Sequence, residues 1–518
     1  MKMVKSLILG SSAALLAMGG AQAADLPVKA KAVEYVRICS LYGAGFYYIP
    51  GTDTCIKLGG YLRAEIAVNT NSVYTGNSNL PASAFNRMTD GYIWRSREDL
   101  NIDTRTATEY GVVRTFFDAT FTWTTDSYTQ SGTVPGSTVY TQIGATGAGQ
   151  ANNGSPGLVA AGTLGMYYAF IQFAGFTMGK AVSTFSAPWA NYPGNNFDGL
   201  VGGGGTITGV NQFTYTANFG NGVSASISAQ DQVQYYQAGV NNVSAGGAFG
   251  TSDYANTIAP DLVGTVQVDQ AWGLAKLSVA AHDNHVAYYG ATEPTGHPDD
   301  RWGWAIQGAL QIKADSIAPG DVFNIQAVYT DGATRYNIQD LAGAAGAAQI
   351  YGSSGVAYQS VGFGVAPDTV FGNGTSQKFI QTWGIRGGYT HNWNPYWNSS
   401  IYGAYAGIRY SNDAKSLICG GVVDGIAFGG SFRTIANAGA GGITTCNPDY
   451  NIAQAGFVTR WTPVKNLTFS GEFTWTGLDQ KMSGFVTAAN ASTFKPAVAY
   501  ELRDQNTVQV LLRAQRNW

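Results

Sequence analysis

Strict alternation is the feature that most constrains this chain. Across residues 57–68 the even positions read Leu58, Gly60, Leu62, Ala64, Ile66 and Val68, and the odd ones Lys57, Gly59, Tyr61, Arg63, Glu65 and Ala67. Period two belongs to a β-strand, whose side chains point alternately to opposite faces. One face here is apolar and the other carries charge, so the strand stands between two different solvents. Residues 302–313 repeat the pattern, with Trp302, Trp304, Ile306, Leu310 and Ile312 against Gln307, Gln311 and Lys313. Leu467, Phe469, Phe473 and Trp475 oppose Thr468, Ser470, Glu472 and Thr474. The last strand sets Val508, Val510, Leu512, Ala514 and Trp518 against Gln509, Arg513, Gln515 and Asn517, and only Arg516 breaks its apolar side.

Composition agrees with a wall that has one lipid face and one wet face. Charged residues are only 12% of the chain, yet the mean hydropathy of −0.06 is near neutral. Apolar and polar faces that average out give this combination. The net charge of −3 and the lack of any lysine/arginine run exclude a nucleic-acid partner.

The N-terminus reads as an export address. Lys2 and Lys5 precede a short apolar run over 7–18, and Ala21-Gln22-Ala23 offers a cleavage site before Ala24. That run is too short to span a bilayer as a helix, and no later apolar stretch of that kind replaces it. The expected organisation is a signal peptide over 1–23, an N-terminal periplasmic segment over 24–56 and a transmembrane barrel over 57–518. The four cysteines fall into two close pairs, Cys39 with Cys55 and Cys419 with Cys446. In an oxidising compartment two disulfides are expected, and local pairing is the simplest of three connectivities.

The punctuation alternates too. Gly220-Asn221-Gly222, Ala271-Trp272-Gly273, residues 392–395 and residues 463–466 read as tight turns. Between such hairpins lie long tracts of Gly, Ser, Thr and Asn, for example 125–160, 232–260 and 331–377. The pattern predicts sixteen strands beginning near 57, 92, 111, 161, 175, 207, 223, 260, 274, 301, 321, 378, 396, 449, 467 and 496, joined alternately by short turns and long loops. Outer-membrane barrels have this design. Hydrocarbon cannot satisfy a free N–H or C=O, so the sheet must close. About sixteen strands enclose an aqueous lumen, where about eight would be filled by side chains.

Residues 33–63 (VEYVRICSLYGAGFYYIPGTDTCIKLGGYLR) closely resemble the start of mature general porins of the alphaproteobacteria, the Brucella and Rhizobiales type. Residues 105–117, 169–180 and 461–473 resemble the same family, and the likeness runs across nearly the whole mature chain. The resemblance implies a sixteen-stranded antiparallel barrel, usually a homotrimer, set among outer-membrane lipid and lipopolysaccharide. The implied activity is passive passage of ions and small hydrophilic solutes, without a cofactor. Tracts 125–160, 331–377 and 411–448 are expanded beyond shorter relatives, which leaves the outer shape of the pore open.

In porins of this architecture the third external loop folds into the lumen. Here that loop is about 184–205, with Phe185, Trp189, Tyr192, Phe197 and Asp198 followed by Gly202 to Gly205. Asp198 is the acidic residue expected at the constriction. Strand parity turns Arg63, Arg95, Arg97, Arg105, Arg114 and Arg460 inward, with Glu65, Asp99, Asp103 and Asp118 as carboxylates able to offset their repulsion. Such a wall would set a field across the pore. Trp94, Phe117, Trp123, Trp302, Trp383, Trp393, Trp397, Trp461 and Trp475 are expected to form interfacial girdles.

Catalytic signals are weak. No G-x-S-x-G occurs, and Gly202 to Gly205 lacks the Lys-Ser/Thr of a phosphate loop. His282, Asp283 and His285 could suggest a metal pair, but positions 282 and 285 of one strand face opposite sides. The competing functions are a solute-selective channel for sugars or anions, an adhesive surface protein, and an outer-membrane enzyme.

Overall fold

The computed structural model describes residues 37–69, 92–124, 163–190, 192–196, 199–203, 209–231, 237–247, 249–338, 351–354, 359–436, 442–487 and 499–518. Sixteen long strands form one closed antiparallel barrel. They are β1 (Thr54–Asn69), β2 (Tyr92–Thr108), β3 (Gly111–Thr124), β4 (Thr163–Phe173), β5 (Phe176–Ala181), β6 (Val210–Gly220), β7 (Val223–Gln230) and β8 (Asp261–Gln270). The second half comprises β9 (Gly273–Asn284), β10 (Arg301–Lys313), β11 (Val322–Asp331), β12 (Lys378–Asn394), β13 (Trp397–Tyr410), β14 (Tyr450–Val464), β15 (Leu467–Gln480) and β16 (Gln505–Asn517). Each pairs with its sequence neighbour. β16 returns to β1 in register from Tyr61↔Asn517 to Asn69↔Gln509, so no edge remains. No helix among the described residues is long and apolar enough to cross a membrane.

The two faces separate as the alternation requires. Leu62, Trp94, Phe121, Ile227, Leu277, Trp304, Ile401 and Phe473 all stand exposed on the outside, Ile227 at 67%. A contiguous apolar exterior of this kind needs lipid, not water, against it. Trp302, Trp383, Trp393, Trp397, Trp461 and Trp475 are exposed there as well, and the Trp123 side chain lies outside the described residues.

Seven short turns lie at one end of the barrel with the chain termini of β1 and β16, and long connections lie at the other. The β6–β7 turn shows why its residues suit it. Asn221 and Gly222 both have positive φ, 48° and 74°, the conformation of a two-residue hairpin that keeps the twist of its strands. A Cβ on Gly222 would also strike the Asp269 carbonyl at 1.8 Å.

Fifteen strands begin within three residues of the expected positions. The sixteenth does not: expected near 496, it begins at Gln505. The short strand Ala499–Leu502 instead pairs with Ser483–Thr487 and Gln359–Gly362 in a separate sheet at the loop end. Its Tyr500 and Leu502 are buried in an apolar cluster there, which holds it away from the barrel wall.

That cluster lies inside the barrel. Tyr402, Ala404, Ala406 and Ile408 on the inner parity of β13, with Ile452 and Val458 of β14, pack against Leu200, Val201, Val365 and Val370 from the long connections. The helix α1 (Asn412–Cys419) adds Ala414, Leu417 and Ile418. Ser411 caps it by accepting from the Ala414 N–H, and the Cys419–Cys446 disulfide ties its end to the neighbouring segment. At the turn end, Tyr47–Tyr48 pairs with Cys55 and Ile56 at the start of β1, and a second disulfide joins Cys39 to Cys55. Residues 1–36 lie outside the described residues, and with them the expected signal peptide.

Candidate pore constriction

Between β5 and β6 the chain does not stay at the rim. It enters the barrel as a strap that crosses the inner wall from β9 to β16. Phe185 is fully buried against Tyr336, ring centroids 4.6 Å apart, with Val263, Ala280, Ala305 and Val328 of the wall around them. The Lys276 ammonium donates to the Ser186 carbonyl at 2.8 Å and the Gln307 amide to the Phe185 carbonyl at 2.9 Å. The Trp189 indole donates to Gln326 at 2.6 Å.

Three arginines then hold the strap by its carbonyls. Arg386, which is 1% exposed, donates to Leu200 at 3.0 Å and to Ala190. Arg460 donates to Gly194 at 2.6 Å, and Arg513 to Asn196 at 3.1 Å. In the reverse sense the wall accepts from the strap: Glu472 from the Asn196 N–H, Gln454 from that of Val201 and Asn337 from that of Gly202. Within the strap only a few turn-like bonds form, such as Ala190 N–H to the Ala187 carbonyl at 2.8 Å, and side chains of the wall satisfy further backbone groups, as a buried segment requires. Glycine permits the close approach. Gly202 has φ +94° and a Cβ there would lie 2.5 Å from the Ile385 carbonyl carbon.

The wall of β1 to β4 carries charge in tiers. Glu65 lies opposite Arg95 on one side and Arg513 on the other. It pairs with both, with Arg513 at 2.6 Å, and is only 2% exposed. Arg63 and Arg97 form the next cross-strand pair. Then come Asp99 and Asp118 on adjacent strands, Asp99 accepting from the Asn101 amide at 3.4 Å. Nearest the turn end, Asp103 accepts from Arg105 at 3.0 Å and from Arg114 at 2.9 Å. The expected inward arginines therefore fall into separate environments. Arg95, Arg105 and Arg114 are paired with carboxylates, Arg460 is committed to the strap, and Arg63 and Arg97 belong to neither group. Asp198 and Phe197 lie outside the described residues.

The Porin subfamily model matches residues 25–511 of the sequence. The chain belongs to this porin subfamily. Among curated relatives, porin Omp2b of Brucella canis is 32% identical over 356 residues, which span 63% of this chain and 85% of the relative. Porin Omp2b of Brucella abortus is 31% identical over the same length, with the same shares of each chain. In fold the porin resembles the outer membrane channel DcaP of Acinetobacter baumannii, with a TM-score of 0.54 at 15% identity over 91% of this chain and 99% of that one.

Several residues of the porin's strap site were not singled out from the sequence. Arg386, Lys276 and Gln454 all sit on the inner parity of their strands, so alternation alone could have nominated them. Their partners on the strap had no such signal. The two histidines of the suspected metal pair have separate partners. His282 is fully buried, with Nδ1 2.9 Å from Asp261 and Nε2 3.4 Å from Asp368. His285 lies 2.9 Å from Asp300. Asp368 also accepts from the N–H groups of Ala238 and Thr334. The His282 network thus binds the β8–β9 wall to two of the long connections.

Proposed function

We propose that this porin is a general diffusion pore of the outer membrane, giving passive passage to ions and small hydrophilic solutes. One observation carries the reading: a closed sixteen-stranded wall with an apolar outside and charge tiers inside, narrowed by a strap rather than filled by a folded domain. The turn end is the periplasmic end and the long connections face outward, in keeping with the design of such barrels. A signal peptide over 1–23 is removed on export, the segment 24–56 lies in the periplasm, and three copies assemble in lipid and lipopolysaccharide, as the family resemblance implies. The protein has no catalytic role. Its side chains act by excluding apolar solutes and orienting dipoles in the field between wall and strap.

Planar-bilayer recording tests the reading. Ohmic steps in triplets, unsaturated by neutral sugars, are expected. Bilayers that take up the protein and carry no current would reject it. The expectation that Asp198 supplies the acidic group of the constriction has its own test. Asp198→Asn should lower the ratio of cation to anion permeability, and an unchanged ratio removes that role.

A further inference from the structure

We propose that Arg63 and Arg97 form a binding subsite for doubly charged oxyanions, namely phosphate and phosphate esters, on the inner wall. The inference rests on the pore reading above and adds a ligand class to it.

The two residues are direct partners across β1 and β2. Opposed residues of antiparallel strands hold their Cβ atoms about 5 Å apart, and like charges placed so destabilise the sheet. Every other arginine described above has an evident offset, either a carboxylate or the strap's carbonyls. Among the described residues, neither Arg63 nor Arg97 has a carboxylate at ion-pair distance. Each is instead fixed by its Nε. That of Arg63 donates to Gln515 at 2.9 Å, and that of Arg97 to Thr122 at 2.9 Å. The terminal amino groups of Arg63 make no hydrogen bond among the described residues.

Tyrosines lock the pair. The Tyr61 ring centroid lies 4.5 Å from the Arg63 guanidinium carbon. The Tyr167 ring lies 5.7 Å from the Arg97 guanidinium carbon. Tyr167 reaches that position through a bulge. The β3–β4 register passes from Asp118↔Tyr168 to Ala119↔Met166, which leaves Tyr167 as the extra residue. A guanidinium held against a ring loses little freedom on binding, and its fork matches the oxygens of phosphate. Both arginines are only half-buried, so a solute in the lumen can reach them. One dianion offsets both charges, where chloride offsets one.

The test uses the full-length protein in planar bilayers in potassium chloride, with inorganic phosphate added in steps. Chloride current through the wild type should fall saturably. Arg63→Gln and Arg97→Gln should each raise the half-blocking concentration about tenfold, the loss expected of one charge-assisted contact. Arg63→Lys, which keeps the charge and loses the fork, should fall between. Lys57→Gln removes a positive charge from the same face nearer the turn end and should leave the half-blocking concentration unchanged. Open channels with no saturation by phosphate would overturn the proposal and leave the pore reading intact. So would an equal shift in Lys57→Gln, because a diffuse field would then explain the block. Absence of any channel steps would instead sink the pore reading itself.

Discussion

Glu65 is the residue on which the closure of the barrel most depends. β1 is both the first strand and the seam to the last, and Glu65 alone spans its two neighbours with paired charges, Arg95 on β2 and Arg513 on β16. Arg513 also holds the strap, so the same carboxylate links seam and strap. Glu65→Gln would remove the carboxylate that pairs with both buried guanidinium groups. The expected cost is about 3 kcal/mol, the range for breaking a buried pair from one side. Unfolding of the detergent-solubilised barrel in guanidinium chloride measures it, and a loss below about 1 kcal/mol would place Glu65 among exposed pairs of little weight. Parity exposed this carboxylate as an inward group. It did not say that both flanking arginines would choose it.

At the scale of the element, the strap is an irregular segment fastened to the wall largely by side chains of the wall. Its position should therefore respond to single changes far apart in sequence. Gly202→Ala puts a methyl group against the Ile385 backbone in a conformation that L side chains rarely adopt. Arg386→Ala strips donors from the buried Ala190 and Leu200 carbonyls, a loss of about 2 kcal/mol for groups left unsatisfied. Both variants should free the strap, raise single-channel conductance and expose residues 182–209 to protease while the barrel stays folded. Unchanged conductance and unchanged cleavage in both would show that the strap does not set the narrow point. The turns behave differently. They are fixed by local chemistry, and the Asn221-Gly222 turn forms where its dipeptide stands.

For the whole molecule, acid tolerance carries a signature of the turn end. Asp321, in the β10–β11 connection, is buried, which alone would raise its pKa. Hydrogen bonds from the Tyr389 hydroxyl, the Asn392 N–H and the His391 ring outweigh this and hold it down to about 2. A carboxylate depressed from its usual value of about 3.9 stabilises the fold fully above that value and ceases to do so as pH falls through the folded one. Between roughly pH 4 and pH 2 the wild type should therefore lose stability more steeply than Asp321→Asn, and equal slopes would remove the assignment.

The sequence by itself determined the wall. Alternation, turn chemistry and the even strand number are local or periodic properties, written in neighbouring residues, and they placed fifteen of sixteen strand starts and the inward parity of the charges. Where the sequence failed, the alternation was already weak. Residues 450–458 carry apolar side chains on both parities, because inside the barrel they meet the long connections and not water. Residues 499–502 read as barrel strand for the same reason, since an apolar segment drawn into that cluster has the composition of one that faces lipid. Only the tertiary structure decided which arginines are neutralised, which hold the strap and which stay opposed on an open wall. The pairings depend on which side chains reach one another across strands, and the strap contacts join residues as distant in the chain as Arg513 and Asn196; no period in the chain encodes a distance of that kind.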